Sequence, residues 1–300
     1  MASPDATAGR LSPQAGGLKR RLRDHLRIAR ISNSPTVVSN VLAGVVLATA
    51  LDWSADLVCV AVAMVLFYTG GMYLNDILDY EIDRQQRSER PLPSGAIAKS
   101  EAWVVTVALF VVGLALLAVA GTRPLIAGVV LIGAIALYDA WHKGNAIGPF
   151  IMGLTRVLVY VVAFLAFSSD VSWRLAIWCA VMLFYIAGLT SIAKTEHGPS
   201  LTRYWPVVSL FPAVIVAIVD KPSVWTFGVG IVFIAWVAYC LSFVYVPTKR
   251  SIGGAIGRLI AGVSILDALV LASREASWGV VFAFLCFALT IFFQRYIRGT

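Results

Sequence analysis

Four side chains in one short stretch have the types and spacing for metal and phosphate chemistry. They are Asn75, Asp76, Asp79 and Asp83, within "YLNDILDYEIDRQQRSERPLPSG", residues 73–95. On a helix, positions three and four apart share a face. Asn75, Asp79 and Asp83 follow an i, i+4, i+8 series, and Asp76, Asp79 and Asp83 follow i, i+3, i+7. All four are expected on one face, with Glu81 elsewhere. Like charges stacked in this way repel, and a divalent cation removes the repulsion. Magnesium takes oxygen ligands, keeps waters, and is held by one or two carboxylates plus substrate phosphates. The alternative is a solvated acidic helix end neighboured by Arg84 and Arg87. Pro91 and Pro93 stop the helix. Arg87 and Arg90 either reach diphosphate oxygens, which suit the guanidinium fork, or simply mark the basic side of a membrane.

The elements that position these residues are membrane helices. The chain is 59% hydrophobic with a mean hydropathy of +0.84, against about 45–50% apolar for soluble domains. A span needs roughly 20 apolar residues. Candidates lie at about 36–51, 57–76, 101–120, 124–141, 147–168, 173–193, 205–220, 224–246, 255–272 and 276–295. The segments at 36–51 and 205–220 are short, and Arg258 and Asp267 interrupt 255–272. The expectation is an all-α, polytopic membrane bundle of nine or ten transmembrane helices. Residues 1–33 form a basic N-terminal segment, partly disordered, with "LKRRLRDHLRIAR" as an interfacial helix on anionic lipid. Residues 34–300 form the transmembrane domain.

Lysine and arginine set the orientation. With ten spans, eighteen of the 24 lie on the N-terminal side and four on the other. This places the N-terminus and the acidic stretch in the cytoplasm of a multi-pass membrane protein, and a bacterial inner membrane is the expected location. The net charge of +8 is absorbed by this asymmetry, so no nucleic-acid partner is expected. The four cysteines lack ligand spacing.

The stretch "NDILDYEIDRQQRSERPLPSG" resembles the first aspartate motif of UbiA-type prenyltransferases. That resemblance implies a helical bundle with a central cavity open to the cytoplasmic side and sideways to lipid. It implies transfer of a prenyl group from a prenyl diphosphate to an aromatic or other small acceptor, with Mg2+-assisted diphosphate loss. Asp76, Asp79 and Asp83 become the metal ligands and Asn75 their support. Tyr68, Tyr73, Tyr138, Trp141, Tyr160 and Tyr185 are candidate aromatic faces for a cationic intermediate. Each serves equally as ordinary packing.

The family's second aspartate motif falls on "YIAGLTSIAKTEHGPS", where only Glu196 is a carboxylate. Setting residues 68–79 against 185–196 pairs Tyr68 with Tyr185, Gly71 with Gly188 and Asp79 with Glu196. The two stretches end parallel spans and suit two halves of one site, with Lys194 as a counter-charge for diphosphate or as a topological lysine. Tyr138 and Lys143 match a looser form of a further family signature. Arg156, deep in an apolar span, is expected to face the cavity or pair with an aspartate. His142 and His197 are candidate bases. The "GPFIMGLTR" stretch and the altered second motif are similar to EboC-type proteins tied to secondary metabolism. This opens an alternative, a degenerate relative that binds or translocates a lipid-linked or secondary-metabolite precursor.

Overall fold

The computed structural model describes residues 13–141, 145–195 and 204–297, with the side chains of residues 13–16 left aside. Lys143, His142, Glu196 and His197 lie outside the described residues. The described chain is helical: α1 (Pro13–Ile28), α2 (Ser34–Ala48), α3 (Ala55–Leu78), α4 (Tyr80–Gln86), α5 (Lys99–Ala120), α6 (Thr122–Trp141), α7 (Gly148–Phe167), α8 (Trp173–Ala193), α9 (Trp205–Val208), α10 (Pro212–Asp220), α11 (Val224–Tyr245), α12 (Ile252–Ser273) and α13 (Ser277–Gln294). Among the described residues, nine helices are long and apolar enough to cross a membrane. With no water in hydrocarbon, helices satisfy every backbone group within the segment.

The tenth candidate is the broken pair α9–α10. Its 16 residues rise about 24 Å, short of the roughly 30 Å hydrocarbon core. Even so, it runs from one end of the bundle to the other. Trp205 stacks on Phe150, at the start of α7, with ring centroids 5.8 Å apart. At its far end Asp220 accepts from Arg174 Nε at 2.7 Å, at the start of α8. A short traverse is possible because α10 packs on α8, α11 and α12.

Helices α2 and α12 form the centre. The window of α12 is 83% buried and that of α2 78%, against 22% for the outer α5. The segment that Arg258 and Asp267 interrupt in sequence is thus the most enclosed span. Asp267 is fully buried and is satisfied by four hydrogen bonds. Ser39 Oγ donates at 2.5 Å, Tyr160 Oη at 2.5 Å, and Asn40 Nδ2 to both oxygens at 3.0 and 2.8 Å. Buried polar groups in a membrane bundle tie helices together in this way. Gly44 lets α2 approach α7 closely, since a Cβ there would lie 2.7 Å from the Tyr160 carbonyl oxygen.

Helix α1 is docked on the bundle. Arg21 makes two hydrogen bonds to Glu101 at 2.9 and 2.8 Å, and His25 Nδ1 meets Tyr73 Oη at 2.7 Å. A satellite core of Ile28, Ala29, Tyr73, Ile77, Leu92, Ile97 and Ala102 closes the junction. Leu18 and Leu22 remain exposed, so one side of the expected interfacial helix is held by protein rather than by lipid.

Candidate functional site

Helix α3 starts at the Ser54 cap, whose Oγ accepts from Leu57 N, and runs to Leu78. Asp79 has near-helical dihedrals, φ −84° and ψ −2°. The Asp83 N–H then bonds the Asp79 carbonyl at 2.9 Å. The helical register therefore carries into α4, and the i, i+4, i+8 face survives the junction. Asn75, Asp79 and Asp83 line one cavity of about 330 Å³.

Asp76 departs from the expected common face. It is buried, and it lines a second space on the other side of the helix. There it pairs with Arg30 Nη2 at 3.0 Å and lies 3.6 Å from Arg90 Nη1. Arg90 also pairs with Asp83 at 2.6 Å. Arg90 thus clamps the two outer carboxylates, which relieves the repulsion that the sequence pattern creates. The physical reason is rotation. Asp76 sits one residue beyond Asn75, about 100° round the helix, and the basic junction of α1 and α2 meets it there.

Arg30 is a functional candidate that sequence reasoning passed over as one more basic residue. It has φ 41°, a left-handed conformation uncommon outside glycine. Strain of this kind persists where surroundings over-determine it. Its Nη2 donates to Asn75 Oδ1 at 3.3 Å as well as to Asp76. Its carbonyl accepts from Tyr68 Oη at 3.3 Å. The signal was a long-range one, 46 residues apart in the chain.

Asp139, next to Tyr138 of the looser family signature, is a second functional candidate. From α6 it faces α3, where Asn75 Nδ2 donates to its Oδ1 at 3.2 Å. Its Oδ2 is buried and has no hydrogen-bond partner among the described residues. A carboxylate near the end of an apolar span was the available signal, since such residues are expensive and functional by default.

Arg156 lies where the sequence places it, in the cavity wall and 7% exposed. Its guanidinium stands 5.6 Å from the Tyr68 ring centroid. Its Nη1 donates to Asn40 Oδ1 at 2.9 Å, and Asn40 in turn binds Asp267. Arg156 is thereby held from behind by α2 and α12. Tyr138 also lines the cavity, as do Arg87 and Arg90. The deeper wall is apolar, with Met64, Phe67, Leu131 and Val159.

Of the candidate aromatics, Tyr68 and Tyr138 reach the cavity. Tyr73 belongs to the α1 junction, Tyr160 to the Asp267 network, and Tyr185 donates to the Leu259 carbonyl at 2.8 Å. Lys194 is not at the cavity. Its Nζ donates to the Asn145 carbonyl at 2.7 Å, which ties the end of α8 to the start of α7. Partial burial holds its pKa below the ordinary lysine range.

The helical membrane bundle thus holds an inner cavity that joins carboxylates, arginines and an apolar depth. The chain belongs to the UbiA prenyltransferase family, which matches residues 37–197. Among its relatives is the digeranylgeranylglyceryl phosphate synthase of Saccharolobus solfataricus, 30% identical over 181 residues, 59% of this chain and 62% of that protein. The synthase of the same description from Sulfolobus acidocaldarius is 31% identical over 140 residues, 46% of this chain and 50% of that one. The chain thus spans between half and two thirds of the length of these relatives. Among solved structures, a UbiA homologue from Aeropyrum pernix K1 aligns with a TM-score of 0.66 at 18% identity, covering 80% of this chain and 97% of that one. A homologue from Archaeoglobus fulgidus, bound to GPP and Mg2+, aligns with a TM-score of 0.60 at 18% identity, covering 86% and 99%. At these identities the structures establish the fold. The relatives bear on the family and not on the EboC-type subgroup.

Proposed function

We propose that the cavity between α3, α6 and α7 transfers a prenyl group from a prenyl diphosphate to a small acceptor. The observation that carries this reading is convergence. Asn75, Asp79, Asp83 and Asp139 meet Arg30, Arg87, Arg90 and Arg156 around one cavity with an apolar depth.

Magnesium suits this site. The donors are hard oxygens, and the unused buried Oδ2 of Asp139 is a ready ligand atom. Among the described residues no group of three or more His, Cys, Asp or Glu is gathered closely enough to hold a metal. That matches an ion which completes its shell with water and substrate phosphate. Asp79 and Asp139 would hold it with support from Asn75, and Asp83 and Asp76 would act through their arginine partners, Arg90 and Arg30. The ion, when bound, neutralises charge that develops on the departing diphosphate.

The chain's own residues do the rest. Arg30, Arg87 and Arg90 take the outer diphosphate oxygens, a planar fork suited to phosphate. Arg156 sits deeper and holds the charge that grows as the C1–oxygen bond breaks. Tyr68 and Phe67 offer aromatic faces to the allylic cation, and the apolar wall excludes water. The acceptor then bonds to C1 and loses a proton. The relatives' names point to a glycerophosphate-type acceptor as the first to try, ahead of an aromatic one. Residues 34–300 form this catalytic unit, preceded by the basic segment 1–33. The arginine-rich end faces the cytoplasm.

The test is diphosphate release by purified protein with Mg2+, geranyl diphosphate and candidate acceptors. Release should vanish with EDTA and in Asp79→Asn. Magnesium-dependent release that survives Asp79→Asn would overturn the site. Cysteine labelling of Arg84→Cys from the cytoplasmic side only checks the orientation.

A further inference from the structure

A second space opens on the flank of the bundle, outside the aspartate cavity. Its floor is the first half of α12, and its walls are α11 and α13. It is a groove of about 2200 Å³. The walls are fixed by specific bonds. Trp236 Nε1 donates to the Arg258 carbonyl at 3.0 Å, and its ring meets Phe287 edge-on at 4.7 Å. From the other side Gln294 Nε2 donates to the Gly257 carbonyl at 2.9 Å.

The groove is polarised along its length. Its deep part is apolar, with Ile231, Ala235, Ile265 and Ile291. Its mouth carries Arg250, Arg258 and Arg295, and beyond them the arginines of α1 and of the Arg87–Arg90 turn. Among the described lining residues the carboxylates are Asp76 and Glu89; Asp76 is paired with Arg30, while Arg27 meets Asp24 and Arg90 meets Asp83 outside the groove. Arg250, Arg258 and Arg295 have no carboxylate partner among the described residues. Arg258 stands almost two turns inside α12, folded onto the Gly254 carbonyl at 2.8 Å. An unpaired charge at that depth is costly, which a ligand anion would offset. The first-turn N–H groups of α12 add to the anion preference.

The dimensions fit a lipid. From Ile252 to Ile265 the α12 floor rises about 20 Å, more than one leaflet of a hydrocarbon core roughly 30 Å thick. A second copy of the chain suits the groove poorly, because a two-fold contact would set this arginine-rich face against itself.

We propose that the groove between α11 and α13 binds a bilayer lipid with a phosphate head group. The phosphate sits against Arg250, Arg258 and Arg295 at the N-terminus of α12. The hydrocarbon chains lie along Trp236 and Phe287. This assignment stands independently of prenyl transfer, although Arg30, Arg87 and Arg90 border both spaces.

Native mass spectrometry of the purified protein with matched-chain phosphatidylglycerol and diacylglycerol tests it. Phosphatidylglycerol should be retained at least about tenfold better, since an ionic head group is worth that order of free energy at low dielectric. Arg258→Gln should remove most of that preference. Ala235→Trp, on an exposed position of α11, should block both chains without touching the core. Millimolar inorganic phosphate alone should compete weakly. Equal retention of the two lipids, or wild-type retention by Ala235→Trp, would overturn the proposal. So would a dimer in detergent that Ala235→Trp splits, or full displacement by inorganic phosphate. Geranyl diphosphate binding, read in parallel, should be unchanged in Ala235→Trp and reports separately on the aspartate cavity.

Discussion

The ends of α3 and α8 look like two versions of one element, yet they do opposite work. Each helix carries a tyrosine followed three residues later by glycine, Tyr68 and Gly71 on α3, Tyr185 and Gly188 on α8. On α3 this face opens onto the cavity. Tyr68 and Gly71 both line it, and Asn75, Asp79 and Asp83 continue the same wall. On α8 the matching face is closed by protein. Tyr185 is 1% exposed, and a Cβ at Gly188 would strike Ser209 and lie 2.5 Å from the Pro206 carbonyl oxygen. The broken α9–α10 segment occupies the place where a cavity wall would be. Among the described residues, α8 contributes nothing to the cavity lining. A repeat in sequence thus preserves a helix face without preserving its use.

The largest expected effect separates the two ends directly. Asp79→Asn should lower prenyl transfer by on the order of 10²–10³-fold, as losing one positioned electrostatic group does. Lys194→Gln, at the end of α8, should leave the rate within about threefold, because it forfeits a single exposed hydrogen bond. Steady-state diphosphate release measures both. Comparable losses in the two variants would show that α8 works at the site after all.

Next is Arg30→Gln. It strips the nearer partner from buried Asp76 and leaves Arg90 3.6 Å away. Removing one side of a buried pair costs on the order of 3 kcal/mol. Thermal unfolding in detergent should therefore fall clearly, and the KM for prenyl diphosphate should rise. A double variant, Arg30→Gln with Asp76→Asn, should recover stability but not KM. Recovery of both would make Arg30 a structural residue only.

The carboxylate face was legible in the sequence because a helical period of 3.6 is a local property. Asn75, Asp79 and Asp83 needed no knowledge of any other element. The place of Arg156 in the cavity wall was legible for a related reason, since charges in apolar runs are rare and conspicuous, whereas the span number stayed open between nine and ten. What escaped was set by contacts between distant segments. Arg30 reaches Asp76 from a junction at the far end of the N-terminal segment, and Asp139 reaches Asn75 from α6. The rotation of Asp76 away from its neighbours depends on Arg30 and Arg90 waiting on that side. Lys194 was open between a diphosphate counter-charge and a topological lysine, the first because the internal comparison aligned its helix with α3. Residues 205–220, whose packing diverts that end of α8, gave only a short apolar run.

The glycine pair refines the same contrast. At Gly71 an added Cβ would lie 3.0 Å from Ile135 Cγ2, a side-chain atom with room to give. Gly71→Ala should fold nearly normally and raise the KM severalfold by narrowing the cavity. Gly188→Ala meets backbone and should cost about 1–3 kcal/mol through overpacking, with KM unchanged in the folded fraction. The two readouts, unfolding temperature and KM, should move in opposite members of the pair.

The smallest effect tests the tyrosines. Tyr185→Phe removes the hydroxyl that donates to the Leu259 carbonyl at 2.8 Å. That hydrogen bond is buried, so its loss should cost about 1 kcal/mol and leave turnover intact. Tyr68→Phe removes a hydroxyl that bonds the Arg30 carbonyl at 3.3 Å and the Asn33 side chain, and keeps the ring under Arg156. Its stability cost should be of the same order, and the Arg30 backbone loses a restraint at its left-handed turn. A modest fall in kcat, about two- to fivefold by the tenfold-per-1.4 kcal/mol relation, should follow. If Tyr185→Phe lowers kcat as far as Tyr68→Phe does, the closed face of α8 still communicates with the chemistry. Unequal effects would mean that the tyrosine of α8 serves packing, on a face that α9 closes.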